Sequence, residues 1–284
     1  MLQHHEWLGV TINTVADLPV PPNSPDIGEC IYCGATGQGL GREHAIPYGL
    51  NGRWTLLRAS CSTCADITHR FERDTLRCLH GPLRAALAMQ TRRPERRTRN
   101  LPLVLESAGV QRTVELPSNN YPLYLPVPVF PAPGCITGAA DSTELVTDLR
   151  FLHVAGPSLE AVARQHGADF AGARLNFAPS DFARTLAKVA FAAAVYALGV
   201  APFKNTPIRR VILGQDRSVG RWVGSWTGQS INEAKGLHAL KILASGTDIH
   251  VVLRLFAQFG APEYQVVLGP ASPDFAASQE WPWR

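Results

Sequence analysis

Four cysteines fall in two pairs, Cys30-x2-Cys33 and Cys61-x2-Cys64, and between the pairs an acid and an imidazole stand side by side, Glu43 and His44. Paired thiolates at this spacing match tetrahedral Zn²⁺, which in structural sites takes four soft sulfur ligands at about 2.3 Å. With all four positions filled by sulfur, such an ion has no open site for a substrate, so any chemistry must lie elsewhere. A thioredoxin-like redox pair would need one CxxC at a helix start in a βαβ context, whereas here two pairs flank a glycine-rich segment. The 27 residues between Cys33 and Cys61 exceed the common zinc-ribbon range, so the loop between them must carry structure of its own. Cys78 and Cys135 read as plain thiols.

The elements that would position these residues follow from the local pattern. "GLGREHAIPYGLNGRWTLLRASC" reads as a hairpin or an Ω-shaped loop: a short strand around Arg42 to Ile46, turn chemistry from Pro47 to Gly52, and a return strand around Trp54 to Ala59. A helix follows Cys61, with Ile67, Phe71 and Leu76 among its buried candidates. The order is strand, strand, helix, with zinc pinning the helix to the hairpin. Glu43 and His44 would then face the first turns of a helix that carries Ala65, Asp66, His69 and Glu72.

CxxC, then Glu-His-x-Ile-Pro, then Leu-x-Gly, then CxxC resembles the HNH (ββα-metal) endonucleases, in the zinc-bearing branch that includes the phage recombination endonucleases. The resemblance covers residues 30 to 77, about a sixth of the chain. It implies hydrolysis of phosphodiester bonds in DNA, duplex by default, with one catalytic Mg²⁺ or Mn²⁺ beside the structural Zn²⁺. His44 would be the general base, since an imidazole can take a proton from water while staying mostly uncharged near neutrality. Glu43 would be a hard oxygen ligand of the cation, which neutralises charge building on the phosphorane and the departing oxygen. Such a site reads no base edges, so little sequence preference is expected from it. Phage defence and mobile-element processing are settings such an enzyme would suit.

One position departs from the pattern. Where this branch places an Asn directly after the last cysteine, or a His nearby, to complete the cation's ligands, the chain has Ala65. Asp66 or His69, within one helical turn, could supply the missing contact. Alternatively the module binds nucleic acid without cutting it, as a zinc-stabilised pseudo-nuclease, or the alanine is an introduced change that holds substrate without turnover. His69 and Glu72 also have a plain reading as solvent-facing helix residues, although a carboxylate three residues from an imidazole can orient it or pair with a neighbouring arginine.

The remainder of the chain sets the frame. At 284 residues with 45 % apolar content it can bury a sizeable core, and four of its six cysteines are taken by the zinc pairs, too few for a disulfide scaffold. The net charge is only +4, and although 23 of the 27 basic residues are Arg, which suits bidentate phosphate contacts, the bias taken alone is better explained by plain Arg-biased codon usage. No run of 18 apolar residues and no basic-then-apolar leader pattern occurs, so a cytoplasmic protein is expected. The α+β fold expected has an N-terminal extension (1–28), the zinc ββα module (29–90), an Arg- and Pro-rich connecting segment (91–140) and an α+β C-terminal domain (141–284). In the connecting segment, "TRRPERRTRN" is either a solvated surface stretch or an arm along a phosphate backbone, with Arg92, Arg93, Arg96, Arg97 and Arg99 joining Arg42 and Arg53 as candidate phosphate contacts. "PLYLPVPVFPAPG" should be extended. Further on, Ser158 should cap a short helix stopped at Gly167. A long helix should carry a core stripe of Phe182, Leu186, Val189, Ala193 and Ala197. "IRRVILG", "HALKILAS", "DIHVVLRLFA" and "EYQVVLG" read as strands. A homo-oligomer or a protein partner would use this C-terminal domain.

Overall fold

The computed structural model describes residues 12–13, 24–228, 230, 236–245 and 247–271, so most of the expected N-terminal extension lies outside the described residues. After a short strand β1 (Ile12–Asn13), the zinc pairs bracket a hairpin of β2 (Gly41–His44) and β3 (Thr55–Ser60), followed by α1 (Ser62–Asp74), which runs on through a π-helical turn at Thr75–Leu79 to α2 (Gly81–Ala86). The hairpin turn depends on Asn51 in the left-handed region (φ 62°) and on Gly52, where a Cβ would lie 1.8 Å from the Ile46 carbonyl oxygen. Only glycine permits that approach.

The Arg- and Pro-rich segment carries strands of its own. β4 (Asn100–Ser107) and β5 (Val110–Pro117) form a hairpin closed by Ala108 and Gly109, both at positive φ, the turn whose twist suits a two-residue loop. The proline-rich passage is extended as expected, forming β6 (Leu123–Val129), which leads through α3 (Gly134–Thr137) to its partner β7 (Asp148–Ala155). α4 (Leu159–Gln165) starts where Ser158 Oγ accepts from the Ala161 amide at 3.2 Å, and β8 (Phe170–Gly172) pairs with β4.

α5 (Pro179–Leu198) is the centre of the molecule. It is buried on all sides from Phe182 to Val195 except at Arg184, so the expected stripe is too narrow: this is a helix enclosed in the core. α6 (Ile208–Ile212) corrects the strand expected at "IRRVILG"; Ile208, Val211 and Ile212 are all buried, and their i, i+3, i+4 spacing outweighs the β-branched content. α7 (Val219–Trp222) leads into β9 (Val223–Ser225), and β10 (His238–Ser245), β11 (Asp248–Leu255) and β12 (Tyr264–Pro270) are the strands expected. They form an antiparallel sheet in the order β1-β10-β11-β12-β9, and α5 packs against β9, β11 and β12 on one side and α1 and β3 on the other. The fold is thus α+β.

The four-cysteine segment and the C-terminal half share one core. One hydrophobic cluster runs from Cys30 to Ala271. Tyr32 packs on Phe191 with ring centroids 6.0 Å apart, Trp54 stacks on Tyr196 at 4.8 Å, and the Thr75 and Thr185 hydroxyls lie 3.0 Å apart. Among the described residues no helix is long and apolar enough to cross a membrane.

Candidate functional site

The cysteine pairs converge. In the first, the Cys30 amide donates to the Ala35 carbonyl at 2.7 Å and the Gly34 amide to the Cys30 carbonyl at 2.8 Å, a tight knuckle turned at Gly34 (φ 78°). The second begins α1, with Cys61 as its N-cap. All four Sγ atoms lie within 4.8 Å of one another, and Cys33 Sγ to Cys61 Sγ is 3.7 Å. Bonds of about 2.3 Å in a tetrahedron put the sulfurs about 3.8 Å apart, so the cluster is compatible with structural zinc.

Beyond the four-cysteine cluster, Glu43 of the hairpin and Glu72 of α1 approach one common centre. Glu43 and Glu72 are both buried, but what stands between them is a side chain that sequence reasoning did not single out. Lys188, at the middle of α5, places its Nζ 2.7 Å from Glu43 Oε1 and 2.8 Å from Glu72 Oε1, and also donates to the His44 carbonyl oxygen. Its side chain is 1 % exposed. Burial pulls the lysine pKa down, but the two carboxylates outweigh it and hold the ammonium charged. Glu72 is pushed up by burial and by Glu43, against the pull of Lys188. The signal was present: a lone lysine inside "LAKVAFAAAV" must find partners if that helix is buried.

The expected cation ligands do not assemble around a metal. Glu43 Oε1 is taken by Lys188, Ala65 offers no side-chain donor, and Asp66 is exposed on α1. The group the resemblance implies at this point, Mg²⁺ or Mn²⁺, therefore does not fit the residues present. His44 is half-buried, its ring 5.8 Å from that of Tyr48, and burial followed by the charge of Lys188 lowers its pKa, which keeps the imidazole neutral.

His69 and Glu72 look instead into a cleft of about 750 Å³. Arg73, Arg77 and Arg84 line its helical side, while Arg92, Arg93, Arg96 and Arg97 close it from the arm. Two anchors position that arm: the Gln90 amide donates to Asn51 Oδ1 at 2.8 Å, and Arg97 donates to the Met89 carbonyl at 2.6 Å. Arg84 donates to the carbonyls of Gly49 at 2.7 Å and Leu76 at 3.1 Å, so it is part of the wall. A Cβ at Gly49 would sit 2.8 Å from that guanidinium. Burial, then the charges of Arg77 and Arg97, lower the Arg84 pKa, a sign of how positive the cleft is. Arg92, Arg93 and Arg96 are exposed, whereas Arg42 and Arg53 are exposed outside the cleft lining. Arg73, Arg77 and Arg84 were missed because nothing in their spacing distinguishes them from a solvated helix face. No family model, curated protein or solved structure matches this chain.

Proposed function

We propose that the chain is a zinc-stapled ββα module that binds DNA without cutting it, gripping the phosphate backbone in the arginine-lined cleft. The observation that carries this reading is the charge of the lining: seven guanidiniums against the single carboxylate of Glu72, which is itself tied to Lys188. Arg92, Arg93 and Arg96 are free to turn toward a phosphate, and the planar guanidinium meets phosphate oxygens in pairs. Because the contacts go to the backbone, little base preference is expected. The test is duplex affinity by fluorescence anisotropy as salt is raised. Replacing Arg92, Arg93 and Arg96 with Ala together should weaken binding and flatten the slope of log K against log salt by about 0.9 for each phosphate that is no longer neutralised. An unchanged affinity and slope would remove the cleft from the account.

A second reading, hydrolysis of the phosphodiester by an HNH endonuclease with His44 as base, is favoured by one observation: the imidazole is kept neutral and is only half-buried. Against it stand Ala65 and the engagement of Glu43 by Lys188. Nicking of plasmid that disappears in His44→Ala would decide for it.

A further inference from the structure

We infer that Glu43, Glu72 and the carbonyl of His44 form a cation cage whose occupant is an alkylammonium supplied by the chain itself, so that Lys188 holds the place a divalent ion would take and the site admits none. The inference does not rest on the DNA-binding reading; it rests on the geometry around Nζ. A lysine ammonium has three donors and no acceptor. The three oxygens that meet it here come from two elements of the module: Glu43 Oε1 on β2 at 2.7 Å and the His44 carbonyl beside it, and Glu72 Oε1 on α1 at 2.8 Å. The ammonium thus donates to the His44 carbonyl and is ion-paired with both carboxylates, so its charge is met within the protein.

The two carboxylate distances, 2.7 and 2.8 Å, are ordinary for an ammonium ion pair, and a divalent ion would have to draw these oxygens closer. Charge-assisted N–H···O contacts run about 2.7–2.9 Å, whereas Mg²⁺ demands oxygens at about 2.0–2.1 Å and Ca²⁺ at about 2.3–2.6 Å. For a divalent ion to enter, Lys188 would have to withdraw. The Lys188 side chain is itself 1 % exposed, so withdrawing it would break three polar contacts and repack the centre of α5. A second cation beside it would add like-charge repulsion in a buried site. The missing donor at Ala65 belongs to the same picture, since a cage already filled by Lys188 needs no ligand there.

The cage also makes Lys188 a positioning residue. By holding the His44 carbonyl it fixes the end of β2 against α5, and its charge acts on the His44 imidazole.

The test uses the zinc-loaded full chain without nucleic acid. Mn²⁺ titrated into the protein and followed by electron paramagnetic resonance should show only the free-ion signal, and Mn²⁺ should leave the melting temperature unchanged. One bound Mn²⁺ per chain, lost in Glu43→Gln, would overturn the inference whatever the DNA assays show. A His44 titration by NMR then reads the positioning. In Lys188→Met the imidazole pKa should rise, and in Lys188→Arg, which keeps the charge, it should stay near the wild-type value; equal pKa values in all three proteins would overturn that role. Should Lys188→Met fail to fold, the Mn²⁺ count on the wild type still decides.

Discussion

Two fasteners hold α1 to the hairpin, and they are opposites. At its start, Cys61 and Cys64 meet Cys30 and Cys33 in a cluster that reaches the surface at Cys33 and is compatible with a metal ion. Two turns further on, Glu72 meets Glu43 through a fully buried ammonium. The first gathers soft thiolates that bind metal tightly; the second gathers hard oxygens, which would attract a cation in any solvent, and fills the gap from within. A ββα scaffold with both closed has a place for structure at each end of the helix and no open coordination position at either. What it offers to a ligand is the arginine cleft along its side.

The largest effect should come from the first fastener. Cys64→Ser should lose about one zinc per chain, and because structural sites of this kind contribute on the order of 10 kcal/mol, the hairpin and α1 should unfold. Metal analysis with circular dichroism checks it, and a folded zinc-free variant would contradict it. The second fastener should be weaker. Lys188→Ala leaves two carboxylates buried without a partner, which should destabilise the fold by about 3–5 kcal/mol in urea denaturation. Adding Glu43→Gln and Glu72→Gln to Lys188→Met should recover most of the loss, because the uncompensated charge is gone. A similar loss in the triple variant would mean that Lys188 acts through packing and not through charge.

The contrast between the two fasteners is also a contrast in what a sequence displays. The four-cysteine cluster is written in local spacing, two residues between each pair, and so are the Asn51–Gly52 turn and the Ser158 cap. The cage joins residues 144 and 145 positions apart (Lys188 to His44 and to Glu43), and no local rule pairs them. The lysine stood out only as a charge within an apolar helix, and its meaning depended on α5 being enclosed, whereas the stripe expectation left a face open to water. Residues 91–140 were obscured differently: their arginines and prolines suggested a connection, although "LVLESAGVQRTVEL" alternates as a hairpin should, with Ala108-Gly109 at its turn. The cleft became visible only once Gln90 and Asn51 brought the arm against α1 and α2.

A smaller and graded effect should separate the core from both fasteners. His80 and His238 are buried between the module and the sheet, and burial pulls their pKa values down to about 3 and about 4, with the charge of His238 adding to the fall at His80. Both are neutral in the folded protein and free to take a proton when unfolded. Stability should therefore be fully present above pH about 6.5, the ordinary histidine value, and fall by about 1.4 kcal/mol per unit for each as the pH drops toward 4. Urea denaturation across that range reads the slope. No added slope in this window relative to a His80→Leu variant would mean that His80 finds a proton acceptor in the fold.

The most direct measurement is to incubate the zinc-loaded protein with supercoiled plasmid and Mg²⁺ or Mn²⁺, and to follow mobility and topology together. A retarded band whose recovered DNA is still supercoiled, with the retardation abolished at high salt, is the expected result. Nicked or linear plasmid that depends on the divalent ion and on His44 would contradict it.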